Sequence, residues 1–130
     1  MSTVFNGNEI PTFLYRGGEY PYTVVIAEDL QNYGFAADYN EETQVLTLTY
    51  MPNKKANPIP MEYYKGKSGL PAFGLYNDNT SVEVRVGDNK YVLENIHATD
   101  GYMFVSVDEF AKFASFSWND ATRCATVGMN

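Results

Sequence analysis

Residues 22–50 read YTVVIAEDLQNYGFAADYNEETQVLTLTY. The run opens like a strand, and Ile26, Leu30 and Tyr33 then fall on an i, i+4, i+7 stripe that predicts a short helix. Glu28 and Asp29 lie early in it, where the helix dipole favours negative charge and solvent is expected to cover both carboxylates. Gly34 suits the left-handed position that ends a helix. A hairpin is predicted next, turning at Asn40 to Thr43 and returning with Leu46, Leu48 and Tyr50 on one face.

Residues 102–129, YMFVSVDEFAKFASFSWNDATRCATVGM, repeat these residue classes. At an offset of 80, Tyr22 lies over Tyr102, Gly7 over Gly87, Glu28-Asp29-Leu30 over Asp108-Glu109-Phe110, and Tyr33 over Phe113. One gap after Gly34 brings Tyr39-Asn40 to Trp118-Asn119 and Thr43 to Thr122. Self-similarity at a fixed offset is the mark of duplication. Each unit then reads strand, strand, helix, hairpin. In the second, Val82, Val84 and Val86 share a strand face before a Gly87-Asp88-Asn89 turn. Ser106 and Glu109 form an expected capping box, and Val107, Phe110, Ala111 and Ala114 follow the helical stripe. Ala125, Val127 and Met129 take the places of Leu46, Leu48 and Tyr50.

The expected fold class is therefore α+β: two tandem repeats, each a small twisted antiparallel sheet packed on one short helix. The units span residues 1–50 and 76–130. Between them, residues 51–75 form a Pro/Gly-rich packed crossover, in which Pro52, Pro58, Pro60 and Pro71 exclude most of a regular central strand. Ile59, Met61, Tyr63, Tyr64 and Phe73 predict that this segment docks on the rest of the chain.

Composition narrows the function. Nine basic and 16 acidic residues leave a formal charge of -7, with no basic stripe to displace counterions, so nucleic acid is not an expected partner. An acidic membrane surface is disfavoured for the same reason. No apolar run reaches spanning length, and MSTVFNGNE does not read as a signal peptide, so an exported protein would be present here in mature or truncated form. The lone Cys124 sits in strand-like sequence and reads as a small hydrophobe.

The residues capable of chemistry do not assemble a motif. Glu28 and Asp29 point about 100° apart on a helix, which places them poorly on either side of one reacting centre. His97, in a predicted turn, has Glu94 and Asp100 nearby in sequence but no metal-ligand spacing, so no metal and no cofactor are expected. Gly66-Lys67-Ser68 lacks the earlier glycine of a phosphate loop, since position 61 is Met61. Asn79-Thr80-Ser81 matches the short glycosylation acceptor pattern.

The run Ala27-Glu28-Asp29-Leu30, with Tyr33-Gly34-Phe35, Tyr39-Asn40 and Thr43, resembles the repeated unit of copper amine oxidase N-terminal-like domains. These are the stalk domains of bacterial exported proteins. Val105, Asp108, Phe110, Trp118, Asn119 and Thr122 carry a looser form of the same pattern. The resemblance implies a small sheet curled on a helix, carried outside the cytoplasm at the cell envelope or secreted. It implies neither copper nor oxidase activity, because no histidine cluster accompanies it. The function expected is a non-catalytic spacer or binding module for a cell-wall glycan or another surface protein, with Tyr63, Tyr64 and Tyr76 as ligand-contact aromatics. The alternative is a small hydrolase for an exported or cell-wall substrate, working through carboxylates of both units.

Overall fold

A computed structural model describes residues 1–16, 21–64, 76–99 and 101–129. Short strands and two 3₁₀ segments alternate in the order β1 (Ser2–Phe5), β2 (Asn8–Ile10), β3 (Phe13–Tyr15), β4 (Tyr22–Ile26), η1 (Ala27–Asn32), β5 (Phe35–Asn40) and β6 (Val45–Tyr50). After the crossover come β7 (Ser81–Val86), β8 (Asn89–Leu93), β9 (Ile96–Thr99), β10 (Tyr102–Ser106), η2 (Val107–Lys112), β11 (Ser115–Asn119) and β12 (Cys124–Gly128). The α+β class holds in this coarse form: the described residues make three four-stranded sheets and two short helices.

The strand orders are β11-β12-β1-β2, β3-β4-β10-β9 and β5-β6-β7-β8. Every sheet therefore takes strands from both residues 1–50 and residues 76–130. A separate antiparallel sheet for each end of the chain is not what forms. Two sheets are mixed, because β1 runs parallel to β12 and β6 parallel to β7. Only the middle sheet is wholly antiparallel, with Val25 opposite Val105 where β4 meets β10. Neighbouring strands bury one face each, and the period of two then dictates which side chains enter. Leu46 and Leu48, Val82 and Val84, and Ala125 and Val127 all do so, as their alternation predicts.

One contiguous core joins the sheets. Its centre is the Phe5 ring, edge-on to Phe35 at 5.8 Å and to Phe110 at 5.5 Å. Leu30 from η1 and Phe110 from η2 are fully buried there, each contributing about 1.5–3 kcal/mol by leaving water. The helices are six-residue 3₁₀ segments rather than α-helices. At two turns they only link a strand to the next hairpin, a task that suits the tighter helix.

Local chemistry is legible at the two hairpin turns. Asn40 Oδ1 accepts from the Glu42 and Thr43 amides at 2.9 and 3.1 Å, and Asn119 Oδ1 accepts from Ala121 and Thr122 at 3.0 and 3.2 Å. Gln44 and Arg123 then take the left-handed backbone at φ 57° and 53° before the returning strands. The Ser106 cap does not form. Its hydroxyl donates to Asp108 Oδ1 at 2.6 Å instead, and Glu109 Oε1 accepts from the Glu94 amide at 2.7 Å.

The crossover docks on η1. Asn32 and Asn57 exchange two hydrogen bonds, at 2.9 and 3.0 Å, and Lys54 Nζ donates to the Phe35 carbonyl at 2.6 Å. Tyr33 ties three segments together, its hydroxyl donating to the Glu9 carbonyl and accepting from the Ile59 amide at 3.1 Å. Ile59 packs on the core, whereas Met61 is exposed. Pro71, Phe73 and Gly66-Lys67-Ser68 lie outside the described residues.

Candidate functional site: an aromatic face and a buried acid pair

Strand parity builds an aromatic face on the middle sheet. Tyr15 lies opposite Tyr22, Phe13 opposite Val24, and Phe104 opposite both Ile26 and His97. These residues share one side, while Val25, Met103 and Val105 point into the central core. Val24 and Ile26 are buried yet do not belong to that core, because the rings cover them from the other side. Phe13 packs edge-on to Phe104 at 5.9 Å, and Tyr15 stacks on His97 at 4.3 Å. The crossover then lays Tyr64 against Phe13 at 5.5 Å and Tyr102 at 6.0 Å, with Tyr63 beside it.

The expected contact residues separate here. Tyr63 is 47% exposed and Tyr64 half-buried, both on this face. Tyr76 is only 6% exposed and packs edge-on to Tyr39 at 5.0 Å, with its hydroxyl beside Glu28. His97 is not in a turn but on β9, where Nε2 pairs with Asn95 Oδ1 at 2.8 Å. Its neighbours in space include Tyr15, Tyr22 and Phe104. Glu94 pairs with Lys112 at 2.7 Å, and Asp100 lies outside the described residues. Among the described residues no three His, Cys, Asp or Glu side chains gather as metal ligands, and no helix is long and apolar enough to cross a membrane. Cys124 lies half-buried on β12.

Glu28 and Asp29 overturn the expectation of a solvated first turn, being 1% and 6% exposed. The Tyr64 hydroxyl donates to Asp29 Oδ1 at 2.5 Å, so the aromatic face and the acid pair meet at one residue. Asp29 Oδ2 and both Glu28 oxygens have no hydrogen-bond partner of full geometry among the described residues. Tyr76 lies close enough for its hydroxyl to stabilise the Glu28 carboxylate, but without the alignment of a full bond. Burial pushes the Glu28 carboxyl up to about 7, against that pull and helped by the charge of Asp29. Burial likewise pushes Asp29 up to about 6, with the Tyr64 bond opposing it. Burial, and next the bond to Asp29, raises the Tyr64 hydroxyl. Carboxylates so perturbed mark functional-site candidates, though structural pairs produce the same signature.

A second surface feature is legible only in three dimensions. Tyr22 and Thr23 from β4, Val107 and Asp108 from η2, and Phe116 and Trp118 from β11 line a groove of about 260 Å³. Trp118 is 37% exposed at its rim, and its indole N–H reaches Asp120 Oδ1 at 3.4 Å. The aromatic spacing of β11 is visible in sequence, but its partners Tyr22 and Thr23 come from about 90 residues earlier. No protein-family model matches this chain, and neither does a curated protein or a solved structure.

Proposed function

We propose that the chain is a non-catalytic binding module of the cell surface or the secreted space, and that the aromatic face of the middle sheet takes a neutral glycan. The observation that carries this reading is the run of rings Phe13, Tyr15, Tyr22, Phe104 and Tyr64 on one sheet face, topped by the exposed Tyr63. Rings so placed offer apolar stacking area with hydroxyl edges, the chemistry that suits sugar faces. The overall charge of -7 argues against a polyanionic ligand. The stalk-domain resemblance of residues 27–43 supports an extracellular setting.

The same proposal includes the finer reading of the fold as two tandem units. It draws on the identical succession of strands in β11-β12-β1-β2 and β5-β6-β7-β8, and on the self-facing pair β4 and β10. The twin Asn40 and Asn119 turns support it as well. One register detail departs from the sequence alignment. Phe5 opposes Asn8 and Val86 opposes Asn89, so Gly87 stands at the turn position of Asn6 rather than of Gly7.

A small hydrolase is the second reading, favoured by the raised carboxyls of Glu28 and Asp29. Both acids, however, come from η1 and are turned into the protein, whereas such an enzyme needs two carboxyl groups across an accessible cleft. Retention on insoluble cell-wall and polysaccharide preparations tests the proposal. The protein is expected to be retained, and Tyr63→Ala, at an exposed site, is expected to lose retention with an unchanged circular dichroism spectrum. Absence of retention by every fraction would leave a spacer. Appearance of new reducing ends in the retained fraction would favour the hydrolase.

A further inference from the structure

The surroundings of η1 and η2 correspond position by position, and the molecule fills only one of them. Beside η1, Tyr39 on β5 and Glu28 flank a slot next to the backbone of Met103 on β10. Tyr76 occupies it, its ring 80° to that of Tyr39 and its hydroxyl beside the Glu28 carboxylate. Beside η2, the matching positions are Trp118 on β11, Asp108 on η2 and Thr23 on β4. They frame the open groove, and among the described residues no side chain fills it.

We propose that this groove binds a tyrosine side chain presented by a partner polypeptide, with its ring against Trp118 and its hydroxyl donating to Asp108. The internal Tyr76 supplies the precedent for shape and orientation. The chemistry agrees. Ser106 Oγ occupies Asp108 Oδ1, which leaves the exposed second oxygen as an acceptor for one further O–H. Tyr22, Phe116 and Val107 supply apolar walls, and edge-to-face ring contacts add ~0.5–1.5 kcal/mol beyond burial. At about 260 Å³ the groove is smaller than the roughly 300–1,000 Å³ of drug-sized pockets, and it suits one anchoring side chain. Tyrosine is also among the residues that dominate protein interfaces. The site shares Tyr22 with the glycan-binding face but not Tyr63 or Tyr64, so it stands or falls apart from that reading.

Trp118 is the sole tryptophan, so its emission reports on the groove directly. The intact chain should be titrated with N-acetyl-tyrosinamide, and in parallel with the phenylalanine and arginine amides. Backbone amide shifts at Thr23 and Val107 give a second readout that does not rely on the indole. The tyrosine amide is expected to saturate both signals in the millimolar range. The phenylalanine amide should bind several-fold more weakly, and Asp108→Asn should erase that preference while the fold is kept. Equal binding of the phenylalanine amide, tighter binding of the arginine amide, or no saturable shift at Thr23 and Val107 would each overturn the assignment.

Discussion

Glu28 and Asp29 begin η1 beneath a cover of chain, whereas the matching Asp108 of η2 stands at the surface and Glu109 is only partly covered. Both helices have six residues, follow a strand of the middle sheet and send one large apolar side chain into the core. The difference lies in what passes over them. Residues 54–64 return across η1 and bond to Asn32, Tyr33 and Asp29, and Tyr76 closes the other side. Over η2 the contacts are with the solvated Glu94, which pairs with Lys112 while Lys112 also reaches Glu109 at 2.9 Å. A helix terminus thus tolerates two acids in either setting. Over η1 the cover pushes both carboxyls up and so links their protonation to folding.

The shared part of the comparison should break first under substitution. Leu30 and Phe110 occupy matching positions and both are fully buried. Leu30→Ala is expected to cost about 2–5 kcal/mol and Phe110→Ala about 3–5 kcal/mol, through lost transfer energy and the cavity left around Phe5. Urea or guanidinium denaturation measures this. If Phe110→Ala cost under ~1 kcal/mol, η2 would be an appendage to the core and the likeness of the helices superficial.

The acids provide the next contrast, with opposite signs. Folding raises Glu28 from 4.5 to about 7 and Asp29 from 3.8 to about 6, so the folded state holds their protons more tightly than the unfolded chain does. Their stabilising contribution is therefore complete below the unfolded values and is lost as the pH rises through about 6 and about 7. Glu28→Gln removes the charge at nearly constant shape. It should stabilise the protein by about 1–3 kcal/mol at pH 8 and by much less at pH 5. Glu109→Gln should instead destabilise by about 0.5–1.5 kcal/mol, since Glu109 accepts the Glu94 amide and pairs with Lys112. Thermal melts across this pH range decide the matter. A Glu28→Gln variant less stable than the parent at pH 8 would show that the charged carboxylate is satisfied in the fold.

These contrasts mark how far the sequence could be read. Much of the local chemistry was legible where a residue's role depends on its neighbours in the chain, the unformed Ser106 cap being the exception. The alternating Val82 and Val84 face, the Asn40 and Asn119 turns, and Leu30 and Tyr33 as inward residues all belong to this class. What escaped was set by segments distant in sequence. The parallel pairing of β1 with β12 brings together opposite ends of the chain, and no periodicity encodes it. The burial of Glu28 and Asp29 depends on residues 54–64 of the crossover, a stretch that forms no helix or strand. His97 reads as a turn residue beside Asp100, yet pairing with β10 extends it into a strand and delivers its ring to Tyr15. Of the expected ligand aromatics, only the placement in space separates Tyr63 and Tyr64 from the buried Tyr76.

The smallest effect concerns how the two helices end. Tyr33 and Phe113 donate in the same way to the carbonyls of Leu30 and Phe110, at 2.9 and 3.2 Å. The paths then diverge. Gly34 takes φ 98° before β5, whereas the Ala114 amide bonds back to the Phe110 carbonyl at 3.0 Å and β11 follows with one residue fewer. Counted back from the matching Asn40 and Asn119, Ala36 corresponds to Ser115, so the added residue falls at Gly34-Phe35. The left-handed backbone of Gly34 lets it be absorbed with Phe35 still in the core. A methyl group at Gly34 would meet only Tyr50 Cε1 at 3.6 Å, an ordinary contact, so space is not the obstacle. The cost of Gly34→Ala is conformational, about 1–2 kcal/mol, with the denaturant slope unchanged because the same surface is exposed on unfolding. Deleting residue 34 in place of substituting it gives the sharper comparison. If the two helix ends differ only by this residue, the deletion should leave Asn40 and its turn in register and cost no more than the alanine. A loss of cooperative unfolding would instead show that the crossover, which takes the Gly34 carbonyl through the Met51 amide at 2.8 Å, needs the extra residue to reach η1.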